Sequence, residues 1–106
     1  MGLFDRFRRK QRPGVLRSAT SSDTGHLEQW AAARRGVEAY VEPKTTVTDT
    51  TIVLVAHDGE WTRRRIDGTE GAKKLAKKLG IPIYDAGIVG YPKRMREYSR
   101  RQNRGA

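Results

Sequence analysis

The sequence predicts an α+β fold: a small, mainly antiparallel sheet of three or four strands covered by two helices, with basic flexible tails. Three observations lead there. The runs "VEAYV" and "TIVLV" have strand character, and the second leads through Asp58-Gly59 into "EWTRRR" as a hairpin. The segments "SSDTGHLEQWAAARRG" and "TEGAKKLAKKLG" carry apolar stripes at helical spacing and end in glycine. The net charge of +10 is segregated: residues 1–22 hold six basic residues against Asp5, residues 92–106 hold six against Glu97, and the ten basic and ten acidic residues between them cancel. A neutral middle can pack, whereas a like-charged end without an apolar stripe cannot offset its conformational entropy. The chain therefore divides into a basic disordered tail over residues 1–22, an α+β domain over 23–91 and a basic C-terminal helix and tail over 92–106.

Along the chain, Leu3, Phe4 and Phe7 lie at helical spacing among Arg6, Arg8, Arg9 and Lys10, an amphipathic turn able to rest on an anionic membrane. Arg6 stands where a myristoylation motif needs Ser or Thr. "QRPGVLRSATSSDTG" reads as linker. A helix over about 24–35 follows, with Asp23 or Thr24 as N-cap, Leu27, Trp30 and Ala31 as its stripe and Gly36 at its end. Val37, Ala39 and Val41 then alternate with Glu38, Tyr40 and Glu42 as a strand with one wet face, which Pro43 stops. The strand over Ile52 to Ala56 is apolar on both faces and belongs in the centre of the sheet. A two-residue type I′ turn at Asp58-Gly59 sets the expected register, pairing Ala56 with Trp61, Leu54 with Arg63 and Ile52 with Arg65. A second helix over 69–79 buries Ala72, Leu75, Ala76 and Leu79 and exposes Lys73, Lys74, Lys77 and Lys78. A short strand near 81–84, a glycine-spaced loop and a last helix after Pro92, packing through Met95 and Tyr98, complete the order α-β-β-β-α-β-α.

Composition excludes several chemistries. With no Cys there are no disulfides, iron–sulfur ligands or thiol nucleophile in the chain. No apolar signal core follows Met1, and the run from Ile52 to Ala56 is too short to span a bilayer, so the expectation is a soluble, cytoplasmic chain. His26 and His57 have no ligand set or nucleophile near them in sequence. The glycine pairs of "GTEG" and "DAGIVGYP" lack dinucleotide-binding spacing. No metal, cofactor or catalytic residue is expected.

The functional question turns on "WTRRR". Arg63, Arg64 and Arg65 suit an edge strand shielded against pairing, with aliphatic stems on the sheet and guanidiniums in water. Arg63 and Arg65 with Trp61 also suit a surface that stacks bases and neutralises phosphates. The leading reading is thus a non-enzymatic nucleic-acid or ribonucleoprotein accessory protein that binds RNA or DNA backbones. Its candidate residues are Trp61, Arg63, Arg65, Lys73, Lys77, Arg8, Arg9, Lys10, Lys93, Arg94, Arg100 and Arg101. The alternatives are an acidic protein partner at the Trp61, Arg63 and Arg65 surface, an adaptor that holds a protein partner and is anchored to an anionic membrane through Leu3, Phe4 and Phe7, or a small oxidoreductase or enzyme accessory subunit. Asp85, Tyr84 and Tyr91 mark the 85–92 loop as a candidate small pocket.

"VEAYVEPKTTVTDTTIVLVAHDGEWTRRR", followed by "GIPIYDAGIVGYPKRMREY", resembles a family of small basic actinobacterial proteins over about residues 25–100. Some members bear an oxidoreductase label, which is what the resemblance implies for activity; no family site residues carry over. The residues themselves provide no cofactor cradle.

Overall fold

The computed structural model describes residues 21–105, with side chains through residue 103. Eight elements follow one another: α1 (Ser21–Ala32), β1 (Glu38–Glu42), β2 (Thr51–Val55), β3 (Trp61–Arg65), α2 (Gly68–Leu79), β4 (Ile83–Asp85), the single turn α3 (Ala86–Val89) and α4 (Lys93–Gly105). The fold is α+β, with strand order β3-β2-β1-β4. β1, β2 and β3 form an antiparallel meander, and β4 joins β1 in parallel after the chain crosses the sheet through α2. The expected tail over residues 1–22, with the membrane candidates in it, lies outside the described residues except for Ser21 and Ser22, which open α1.

Strand alternation divides the core in two. Ala39, Val41, Ile52 and Leu54 face α1 and α2, where they meet Leu27, Trp30, Ala72 and Leu75. Tyr40, Val53 and Val55 face the other way, against Met95 of α4. Leu27, Ile52, Leu54, Val53 and Val55 are fully buried, each worth about 1.5–3 kcal/mol relative to exposure. Two helices thus cover one face as expected, but the second face is not wet. Glu38, Tyr40 and Glu42 looked solvent-facing because their partners lie some 20 to 56 residues away, in β3 and around α4.

The hairpin register differs from the expected one by one residue. Val55 pairs with Trp61, Val53 with Arg63 and Thr51 with Arg65. The Ala56 N–H donates to the Glu60 carbonyl (2.8 Å) and the Gly59 N–H to the Ala56 carbonyl (3.0 Å), leaving His57, Asp58 and Gly59 as a three-residue loop. This is a turn closed by a bulge glycine, with Gly59 at φ +95°. A Cβ at Gly59 would stand 2.0 Å from the Arg94 carbonyl oxygen, so α4 requires glycine there independently of the turn. The slip moves Trp61, Arg63 and Arg65 from the face of Leu54 and Ile52 to that of Val55 and Val53.

α1 starts at Ser21, so Asp23 sits within its first turn instead of capping it. Its end is tied to the hairpin. Arg34 donates two hydrogen bonds to Glu60 (3.0 and 2.8 Å) while its guanidinium lies 4.2 Å from the Trp30 ring, and the His57 N–H donates to the Arg35 carbonyl (3.0 Å). α2 ends at Gly80 in the left-handed conformation, as its sequence suggested, and its tail is closed by the Ile81 N–H donating to the Ala76 carbonyl.

Candidate nucleic-acid interface

On the α4 face, the pairings align three cross-strand rows: Glu38–Val55–Trp61, Tyr40–Val53–Arg63 and Glu42–Thr51–Arg65. Met95 of α4 packs on Tyr40, Val53 and Val55 and covers the first two rows. Arg94 fastens this helix, donating from Nε to the Ala56 carbonyl (2.9 Å) and from Nη2 to Glu38 (2.7 Å). The hydrogen bond from Arg94 is also the main reason the Glu38 carboxyl sits below its ordinary range. Trp61 is half-buried against the same cluster, and its indole N–H donates to Ser99 Oγ (3.2 Å).

The third row opens to solvent. Here Glu42 accepts two bonds from Arg63 (2.8 and 2.9 Å), one from Thr51 and one from the Tyr91 hydroxyl. Burial pushes the Glu42 carboxyl up, but these donors, led by Arg63, outweigh it and hold the group at about 2. Burial, then the bond to Glu42, raises Tyr91; burial, then the bond to Glu38, raises Tyr40 to about 12. Glu42, Tyr91 and Arg63 are all held in their neutral-pH protonation states, so this ionic cluster has no proton poised for transfer near neutrality.

Three depressions adjoin, two on this side of the sheet and one reaching round the β3 edge to Asp23 and Arg64 on the α1 side. One of about 480 Å³ is lined by Glu42, Thr51, Arg63, Ala86, Gly87 and Tyr91 among others. A second, of about 360 Å³, shares Thr51 and Arg63 with it and adds Asp23, Arg64 and Arg65. A third, of about 400 Å³, shares Tyr91 and runs along α4 past Met95, Arg96, Ser99 and Arg100. Their shared lining residues make a furrow from α4 across the open row to the end of β3, whose walls carry five arginines and one tyrosine and also the carboxylates of Glu42, Asp49 and Asp23.

The sequence candidates distribute unevenly over this furrow. Arg65 and Arg100 line it and are exposed. Arg63 lines it too, but its guanidinium is bound to Glu42 and lies 5.3 Å from the Trp61 ring. Arg94 faces inward and serves the fold. Arg101 donates to the Asp58 carbonyl (3.2 Å) and lies 5.9 Å from the Tyr98 ring. Lys93 is exposed, 3.9 Å from Glu97. Lys73 and Lys77 are on α2, across the sheet, and are not brought together with the others. Arg8, Arg9, Lys10, Leu3, Phe4 and Phe7 fall outside the described residues.

Arg96 and the Glu42–Tyr91 pair were missed from sequence. Arg96 and Arg100 stand four apart on α4, a spacing that places them on one helical face and was readable. Glu42 with Tyr91 was not, since their positions are 49 apart. Of the expected loop pocket, Tyr91 lines the depression beside Glu42 and Arg63, Asp85 instead caps the Gly87 N–H (2.8 Å), and Tyr84 packs its ring 5.4 Å from that of Tyr40.

Among the described residues, no group of three or more His, Cys, Asp or Glu side chains could hold a metal ion, and no helix is long and apolar enough to cross a membrane. Searches against protein-family models, curated proteins and solved structures gave no match.

Proposed function

We propose that the protein is a non-enzymatic nucleic-acid or ribonucleoprotein accessory protein that holds phosphate backbones along the furrow between α4 and β3. One observation carries this reading. Arg96 and Arg100, which have no ion-pair partner among the described residues, line the same furrow as Arg65 and the half-exposed Tyr91. Of the other basic groups, Arg34 is paired with Glu60, Arg63 with Glu42, Lys78 with Glu28 and Arg94 with Glu38, whereas Lys74 and Lys77 stand exposed on α2, across the sheet from the furrow. Charge left over on α4, next to an aromatic ring, fits a single strand, whose phosphates need cations and whose bases stack on aromatic faces. The basic residues at 1–22, Arg8, Arg9 and Lys10 among them, add backbone affinity without recognition.

The test is a titration of the full chain against single-stranded RNA, single-stranded DNA, duplex DNA and anionic vesicles at several salt concentrations. Single strands should bind best, with log K falling linearly against log salt. Arg96→Ala with Arg100→Ala should flatten that slope by about 0.7 for each phosphate no longer neutralised. Removing residues 1–20 should weaken all nucleic acids alike. Unchanged slopes in the double variant would reject the furrow. Vesicle binding with no nucleic-acid binding would replace the reading by the membrane adaptor.

A further inference from the structure

The far edge of the sheet offers a second surface, independent of the furrow. The Ala39 N–H donates to the Pro82 carbonyl (2.9 Å), so Pro82 turns toward β1. The alternation of a ladder then turns the Ile83 N–H and carbonyl outward. Among the described residues no strand pairs with that side of β4. Natural edges are commonly guarded by their shortness or by lysine, arginine or proline within the strand; β4 has the first guard with only three residues, but Ile83, Tyr84 and Asp85 lack the second, and Asp85 is turned to the Gly87 N–H.

At the end of β4, the turn α3, which packs against both β1 and β4, carries Ile88 at 82% exposure and Val89 at 57%, and Tyr84 is 39% exposed. From residue 80 to 92 Asp85 is the only charged side chain, in a chain that is 32% charged. Cations stand on either side of this apolar strip. On α2, which packs against β1 and β4, Lys78 bonds to Glu28 of α1 (2.7 Å), and Lys73 and Lys77 lie about 140° and about 100° round the helix from it, away from α1. On the other face of the sheet, Lys93 opens α4 with its side chain 80% exposed.

We infer that the β4 edge receives an extended, acidic segment of a partner protein as an added strand. Ile83 supplies the ladder hydrogen bonds, Ile88 and Val89 receive the segment's apolar side chains, and Lys77 and Lys93 receive its carboxylates. A second copy of this chain fits poorly, because it would bring the same lysine rims together in a protein of charge +10.

The probe is a capped seven-residue peptide alternating glutamate with isoleucine, titrated into the isotopically labelled full chain while backbone amide shifts are followed. Its control has lysine in place of glutamate. The expected result is shifts centred on Ile83 and Asp85, with the lysine peptide at least tenfold weaker. Ile88→Asp should weaken the glutamate peptide at least tenfold with an unchanged melting temperature, because the Ile88 side chain stands mostly in solvent. Shifts confined to α4, or equal binding of the two peptides, would overturn the inference. So would a dimer in sedimentation equilibrium that Ile88→Asp dissolves, since a second copy would then be the occupant.

Discussion

The two edges of this sheet are built on opposite plans. β3 has five residues and is clasped from both faces: Thr62 bonds to His26 (2.7 Å) and Arg64 lies 3.8 Å from Asp23 on the α1 side, while Trp61 meets Ser99 and Arg63 meets Glu42 on the α4 side. β4 has three residues and is joined to the rest by its backbone ladder, by the Tyr40–Tyr84 ring pair and by the partly buried Ile83 side chain on the core, with no side-chain ion pair among the described residues. Arginine allows the first plan because its stem packs on the sheet while its planar head finds a carboxylate or water. A side chain that looks too polar for a strand is therefore what makes a stable edge also a closed one.

The largest expected effect that tests this contrast comes from Trp61→Ala. Losing the half-buried indole should cost about 3 kcal/mol in denaturant unfolding, against under about 1.5 kcal/mol for Tyr84→Ala on the other edge. Equal losses would break the comparison.

The next largest is a pH effect. The folded Glu42 carboxyl sits at about 2 against an ordinary 4.5, a depressed value, so its contribution is complete above about 4.5 and is lost as pH falls toward 2. With the side chain only 22% exposed, that contribution is roughly 2–3 kcal/mol. Glu38, also lowered, acts in the same direction. Stability measured from pH 6 down to 2 should fall less steeply in Glu42→Gln, and an unchanged profile would show that the Arg63 clasp contributes nothing.

Arg63→Ala should follow, at about 1–2 kcal/mol, because it leaves the Glu42 carboxylate without its cation. The smallest effect belongs to Arg65→Ala, within about 0.5 kcal/mol by unfolding. Its signature lies elsewhere: with the guard thinned, light scattering at high concentration should report more self-association. Equal scattering would mean that Arg65 does not protect the edge.

Much of this architecture was legible because it is local. The stripes Leu27–Trp30 and Ala72–Leu75–Ala76, the glycine at 80 and the doubly apolar β2 each follow from residues within one or two turns of one another. What escaped reading depends on remote partners. Asp58-Gly59 suits a two-residue turn or a bulged three-residue loop equally well, and the carbonyl of Arg94, 35 positions beyond Gly59, sits against the bulge glycine. Glu38 and Glu42 alternate like a wet face, and it takes Met95 to cover the first two rows and Arg94, Arg63 and Tyr91 to bind the two carboxylates. Within the furrow, Arg65 and Arg100 could be chosen by charge, whereas the attachment of Arg63 to Glu42 and of Arg94 to Glu38 could not.

The parallel attachment of β4 also sets an order of events in time. The meander closes through connections of eight and five residues, whereas pairing Ala39 with Ile83 must bridge 44 positions and bears a larger loop-closure entropy. β1, β2 and β3 can therefore gather before β4 arrives, with α3 and α4 following it into place. In reverse, β4 is where the native state should open first, and amide exchange should run faster at Tyr84 than at Val53. A strand laid along Ile83 would then act as a latch, slowing the release of the last quarter of the chain.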